Sequence, residues 1–171
     1  NRFQGSFVMR LRPQWDSVLT DGIDKYFFSW LADTGPGTIN TTDYVKFYYD
    51  ESSDRFVLLL ASNTAGEIPS NVIIGNLTFE SDNYIEVAGW WNASGVVDTK
   101  DNIRYYAKIF ANGEIIGTET DPIIQYIPES HLLHLMIGGN NSTTSTSVTT
   151  NEIEAIISEA AFFTQSISDE E

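Results

Sequence analysis

The two-residue rhythm of apolar and polar side chains limits this chain more than any other feature. In Phe7-Val8-Met9-Arg10-Leu11-Arg12, Phe7, Met9 and Leu11 form one face, and Arg10 and Arg12 stand on the other. Side chains alternate across a strand, so this segment reads as half-buried β-structure, which Pro13 ends. The rhythm continues through Asp24–Ala32, where Tyr26, Phe28 and Trp30 are expected to share a face. Tyr44–Asp50 and Arg55–Ser62 read as a hairpin across Glu51-Ser52-Ser53. Further strands are expected near 71–79, 83–91, 102–111, 114–119, 131–137 and 154–163, with Asn112-Gly113 as a two-residue hairpin turn. Aromatic residues make up 13% of the chain and fall in short runs such as Tyr26-Phe27-Phe28, Phe47-Tyr48-Tyr49, Trp90-Trp91 and Tyr105-Tyr106. Such residues suit a pleated surface, and no long stretch keeps a helical period. About ten short strands separated by turns predict an all-β fold, an antiparallel two-sheet β-sandwich or jelly roll.

Charge narrows the partners. The formal net charge is −15, with only nine Lys and Arg. Nucleic acid and anionic membrane surfaces both need a cationic footprint, so neither is expected as a partner. A surface this acidic suits a hard cation, with Ca²⁺ the first candidate. The chain has no cysteine, which removes thiol catalysis and Cys-type zinc sites. No stretch approaches the roughly 20 apolar residues that span a bilayer, so membrane insertion is not expected. The chain opens at Asn1 without a methionine, as expected of a processed protein or an excised domain.

Asn-x-Ser/Thr triplets begin at Asn40, Asn76, Asn92, Asn140 and Asn141, where chance predicts about two. The Ser/Thr run 142–147 follows the last pair. The segment 138–150 is the one low-complexity stretch and reads as a long exposed loop. These features point to an extracellular, cell-surface or virion-surface setting.

The order of segments resembles the laminin G-like family, within the concanavalin A-like lectin and glucanase superfamily. Gly5-Ser6-Phe7-Val8-Met9-Arg10-Leu11-Arg12-Pro13 with nearby Trp15 is similar to that family's first core strand. Phe27-Phe28-Ser29-Trp30 resembles its second, and Val45–Asp50 with Arg55–Leu59 the next pair. Val87-Ala88-Gly89-Trp90-Trp91-Asn92 resembles the strand that usually ends in Trp-Asp. Ala107–Ile116 resembles the family's hairpin around Asn-Gly. Leu135–Gly139 and Ile156–Phe163 resemble the last two strands, and Ser166–Glu171 the closing turn. The resemblance covers nearly the whole chain and implies one domain over residues 1–171. It also implies a structural Ca²⁺ near an Asp of the final strand, but Ser158 stands there. A hydroxyl is a poorer ligand than a carboxylate for a hard cation. Any Ca²⁺ is therefore expected on loop carboxylates, at Asp21, Asp24, Asp98 or Asp101.

Catalytic constellations are incomplete. Glu80, Asp82 and Glu86 would share one strand face by parity, which is similar to the carboxylate cluster of laminarinase-type hydrolases. They lack apolar neighbours that would raise a carboxylate pKa, so a solvated strand end is the expected reading. His131 and His134 would point to opposite faces of a strand. No Gly-x-Ser-x-Gly elbow occurs, and Gly138-Gly139 lacks the Lys and helix of a phosphate loop. An enzyme is therefore not expected, and neither is a cofactor beyond Ca²⁺.

Binding is the better prospect. Trp91 takes the family's core position, which turns Trp90 to the other face with Tyr84 and Glu86. An aromatic among carboxylates suits stacking on a sugar ring. The expected function is a non-catalytic module that recognises a glycan or an extracellular protein. The alternative is a structural subunit or decoration protein of a filament, virion or surface layer, which would self-assemble.

Protein secreted from a eukaryotic host should carry sugar on at least one of the five asparagines. Intact-mass analysis checks this, and a mass matching the bare 19.1 kDa polypeptide would reject it.

Overall fold

The computed structural model describes residues 4–17, 23–35, 38–61, 70–92, 103–104, 106–119, 123–124, 132–139 and 153–164. Its strands are β1 (Gln4–Pro13), β2 (Lys25–Gly35), β3 (Thr38–Asp50), β4 (Arg55–Ala61), β5 (Ser70–Gly75) and β6 (Ile85–Asn92). They continue with β7 (Ile103–Arg104), β8 (Tyr106–Ala111), β9 (Glu114–Glu119), β10 (Ile123–Ile124), β11 (Leu132–Ile137) and β12 (Ala155–Phe163). No helix occurs among the described residues. One sheet runs β12-β1-β6-β8-β9, the other β11-β2-β3-β4-β5, and β7 pairs with β10 apart from both. Every pairing is antiparallel. This is the two-sheet jelly-roll sandwich that the alternation predicts.

The two sheets meet over an aromatic core. The first sheet contributes Phe7, Met9, Leu11, Val87, Trp91, Ala107 and Ile109. The second contributes Phe27, Phe28, Val45, Phe47, Tyr49, Phe56, Leu58 and Leu60. Phe7 bridges the layers, with ring centroids 4.9 Å from Phe28 and 4.7 Å from Phe47. Each such buried ring contributes about 1.5–3 kcal/mol through apolar burial. The Tyr49 hydroxyl, deep in the same core, donates to the Ser17 carbonyl and so stays satisfied.

Local backbone devices set which side chains reach that core. A register shift between Tyr26 and Phe28 sets Phe27 against no partner of its own on β3. Two residues then oppose one, and Phe27 and Phe28 both enter the core although adjacent. Tyr26 is thereby turned to the outer face, where it stacks on Tyr48 at 4.7 Å. The expected face of Tyr26, Phe28 and Trp30 is corrected on this point: Phe28 and Trp30 share it, and the bulge excludes Tyr26. The β3–β4 hairpin forms as expected, with Asp54 at φ 53°. Asn112 (φ 49°) and Gly113 (φ 82°) make the predicted turn between β8 and β9, both in the left-handed region it requires.

The strand expected over 71–79 ends at Gly75, and the one expected over 83–91 begins at Ile85. Asn76 N–H still reaches the Ile116 carbonyl on β9 (3.3 Å), and the backbone beyond it bonds to the end of β1 and the segment that follows. Phe79 accepts from Ser17 N–H (3.0 Å), Asp82 N–H donates to the Pro13 carbonyl (2.7 Å), and Ser81 N–H donates to Asp16 Oδ1 (2.7 Å). Phe79 plugs the core from that loop, against Tyr49 and Trp15.

Two cross-strand pairs hold β1 against β6. Gly5 lies opposite Trp91 and Phe7 opposite Gly89, so each ring covers the glycine of the other strand. A Cβ on Gly89 would come 2.5 Å from the Phe7 ring and 3.3 Å from the Lys108 carbonyl. Gly89→Ala should therefore lower the unfolding free energy by about 1–3 kcal/mol, read from urea unfolding. An unchanged midpoint would show that the ring can yield.

Candidate functional site

The two outer faces of the sandwich differ in access. On the second sheet Ser29, Leu31, Lys46 and Val57 point outward, yet all four are buried. Ser29 Oγ donates to the Gly139 carbonyl at 3.1 Å, two residues beyond β11. On the first sheet the outward residues other than the buried Ser6 are exposed or half-exposed, which makes that face the candidate site.

Antiparallel register sets its side chains in rows. One row is Phe163, Ser6, Trp90 and Lys108, and the next is Ala161, Val8, Ala88, Phe110 and Ile115. The third is Glu159, Arg10 and Glu86. Tyr84 stands just ahead of β6, 48% exposed. The Arg10 guanidinium lies 4.8 Å from its ring centre and that of Arg12 5.8 Å. Lys108 Nζ is 5.6 Å from the Trp90 ring. Contacts of this kind at exposed sites contribute about 0.5–1 kcal/mol each and hold the rings in place. Trp90 is half-buried, and its Nε1 is shielded without an acceptor among the described residues, so the indole offers its face and not its N–H. Glu86 is positioned by the hairpin turn: its N–H donates to Asn112 Oδ1 (3.0 Å), and its carbonyl accepts from Asn112 N–H (2.8 Å). Beside it a depression of about 280 Å³ is lined by Val8, Arg10, Glu86, Glu159, Ala160 and Ala161. Trp90, Tyr84 and Glu86 therefore stand on one face, as parity requires.

The acidic triad does not assemble. Glu80 and Asp82 belong to the turn after Phe79, where Asp82 has φ 63°, and only Glu86 is on a strand. The expectation of one face for all three is corrected: the turn breaks the alternation that parity assumes. Glu80 accepts from Asn83 Nδ2 at 3.5 Å.

Of the expected Ca²⁺ ligands, Asp24 is half-buried, and its Oδ1 accepts from Glu51 N–H at 3.2 Å. Burial raises its pKa, with Asp50 and Glu51 adding to the effect. Burial alone would also raise that of Asp50, but hydrogen bonds from Ser52 and Ser53 outweigh it and hold Asp50 below its ordinary value. Asp21, Asp98 and Asp101 lie outside the described residues, as does His131. Among the described residues no three His, Asp or Glu side chains gather to hold a metal. Ser158 Oγ donates to the Arg10 carbonyl at 3.2 Å, so its hydroxyl serves the sheet. Asn76 is exposed and Asn92 half-buried, both directly at strand ends. Asn40 sits on β3 and His134 on β11. Asn140, Asn141 and the rest of the 140–150 stretch lie outside the described residues.

One cluster escaped the sequence reading. Lys46 lies on the outer face of the second sheet, its Nζ 4.1 Å from the Tyr44 ring centre and 5.8 Å from that of Tyr26. The alternation Tyr44-x-Lys46-x-Tyr48 was its only signal, and it reads equally well as an exposed strand face.

No protein-family model and no curated protein sequence matches the chain. Among solved structures it is similar to the native heptameric SAP-like pentraxin from Limulus polyphemus, with TM-score 0.59 and 15% identity over 97% of this chain. The chain spans 66% of that protein's length. At that identity the likeness shows the jelly-roll fold.

Burial pushes the Lys46 amine down to about 8. Between there and its unfolded value near 10.5, the unfolded chain holds a proton that the folded chain lacks, so stability rises with pH. Above pH 10 the buried tyrosines act oppositely, because Tyr26 is pushed up to about 12 by burial and, less so, by Asp24. Lys46→Met should be more stable than the parent at pH 7 by about 1–3 kcal/mol, with the gap narrowing by pH 10. Urea unfolding at the two pH values checks this, and a gap independent of pH would contradict it.

Proposed function

We propose that this chain is a non-catalytic binding module of an extracellular or particle surface, and that it takes a glycan on the outer face of its first sheet. The laminin G-like affiliation belongs to the same reading. The observation that carries it is the open face itself. There the Arg10 and Arg12 guanidinium groups lie over the Tyr84 ring, the Lys108 amine lies over the Trp90 ring, and Glu86 stands farther along β6 on the same face. Rings in fixed orientation stack on the apolar face of a sugar, and nearby charged groups take its hydroxyls. The non-catalytic part rests on the lack of a complete acid–base or nucleophile constellation in the sequence. Ca²⁺ enters only as a loop-bound ion at Asp24 with Asp21, or at Asp98 and Asp101.

The test is binding to an array of neutral and acidic oligosaccharides, followed by titration of one hit against tryptophan fluorescence. Tyr84→Ala should weaken that titration by about tenfold, the loss of one stacking contact of roughly 1.4 kcal/mol. Its side chain is exposed, so the fold should survive the change. A module that binds no sugar but sediments as a concentration-dependent assembly would favour the structural-subunit reading instead.

A further inference from the structure

The sandwich is closed along one side, and along the other the described residues give neither edge strand a further partner. At the closed side β5 and β9 pack together. At the open side stand β11 and β12, the other edges of the two sheets. Register places Leu135 opposite Trp30 and Ile137 opposite Phe28, so both belong to the core-facing side of β11. Yet Leu135 is 40% and Ile137 48% exposed. On β12, Ala160 lies opposite Met9 and shares the core-facing side with Phe162, and it too is exposed. Side chains that face inward while reaching solvent mark a loosely covered rim, which Phe162 bridges by packing edge-on against Phe28 (5.1 Å) and Trp30 (6.1 Å) of the facing sheet. Just ahead of β12 the layers meet again, where Ile153 N–H donates to the Gly138 carbonyl at 3.4 Å.

β12 is also an open edge. Four consecutive residues, Ser158–Ala161, are exposed, which on a strand means both faces at once. Among the described residues its only ladder partner is β1. Edges of this length are normally blunted by Lys, Pro or brevity, but β12 has nine residues and neither of those residue types. Its single irregularity, at Ser158, is tied back to β1 through the Arg10 carbonyl.

We infer that this rim receives an extended, basic segment of another polypeptide, hydrogen-bonded as an added strand along β12. Its alternate apolar side chains cover the exposed Ala160 on β12 and the exposed Leu135 and Ile137 on β11. Charge chooses the partner. The chain carries −15, and Glu159 is the charged side chain that β12 presents. A second copy would bring the same charge to the same edge, whereas Lys or Arg at the intervening positions of the added strand would meet Glu159. Main-chain hydrogen bonds give such a strand its affinity, and the alternating pockets give its register. This surface borders the depression beside Glu86 through Glu159 and Ala160, but the inference stands whether or not a sugar binds near Trp90 and Tyr84.

The probe is a short peptide of alternating Lys and Val, titrated into the whole chain by calorimetry and by amide hydrogen exchange. Binding should slow exchange across 156–163. Methylating alternate backbone nitrogens of the peptide should weaken binding by at least about tenfold, because charge and side chains stay while ladder bonds are lost. Ala160→Arg, at an exposed position where the fold should tolerate it, should weaken binding by a similar factor. Equal binding of the methylated peptide would overturn the inference by showing attraction of charge alone. So would binding unaffected by Ala160→Arg, no binding at all, or a dimer in sedimentation whose β12 amides are already protected.

Discussion

Phe7 sits where every layer of the structure meets. Its ring lies over Gly89 of the neighbouring strand and against Phe28 and Phe47 of the facing sheet. One side chain thus sets the register of β1 on β6 and the spacing of the two sheets. Trp91 repeats the device over Gly5, one step along the same strand pair. Because a strand's side-chain period is two, fixing Phe7 inward also fixes Val8, Arg10 and Arg12 outward. The same applies to β6, where Trp91 inward means Trp90 outward. The candidate site is therefore a geometric consequence of the core, and a one-residue slip would lose both together.

The inequality of the two outer faces follows from where the chain spends its polar groups. The second sheet's outer face buries Lys46, a cation with no carboxylate partner in the cluster described, among Tyr26, Tyr44 and Tyr48. A buried ammonium in an aromatic setting loses hydration that ring contacts only partly restore, which is why its pKa falls. On the first sheet Arg10 is exposed, and Arg12 and Lys108 are only half-buried. Arg10 stands between Glu159 and Glu86, and Lys108 beside Trp90. Exposed cation–ring contacts are weak individually, but they do not oppose folding, so the open face can keep its charges available to a ligand.

Much of this was legible in the sequence, because strand parity is local. Phe7, Met9 and Leu11 against Arg10 and Arg12, the Asn112-Gly113 turn, and Trp90 against Trp91 each needed only the period of two. What parity missed lay where the chain leaves that period. The bulge at Phe27 turned Tyr26 outward, and the loop before Ile85 took Glu80 and Asp82 off the strand. The first is a choice made by tertiary packing, since burying both phenylalanines outweighs one lost ladder pairing. The second rests on hydrogen bonds to residues 13–17, more than sixty positions away, which no local pattern records. The burial of Lys46 was illegible for the same reason: alternation says which residues face outward but not which outer face is covered.

The open rim shows a further limit of parity, and of burial arithmetic. Leu135 and Ile137 satisfy the pattern of inward apolar residues, so sequence alone counts them as core. The structure leaves them exposed because no strand stands beyond β11 or β12 among the described residues. Each large apolar side chain left half in water forfeits part of about 1.5–3 kcal/mol of burial. A free sandwich could recover this by shortening its edge strands or placing Lys there. This chain does neither on β12, although its net charge is strongly negative and added lysines would also relieve self-repulsion. An edge that is long, apolar and free of lysine in a chain of −15 is stabilised by whatever brings both a strand and positive charge. That coupling makes the rim, rather than the core, the place where stability and partner recognition meet.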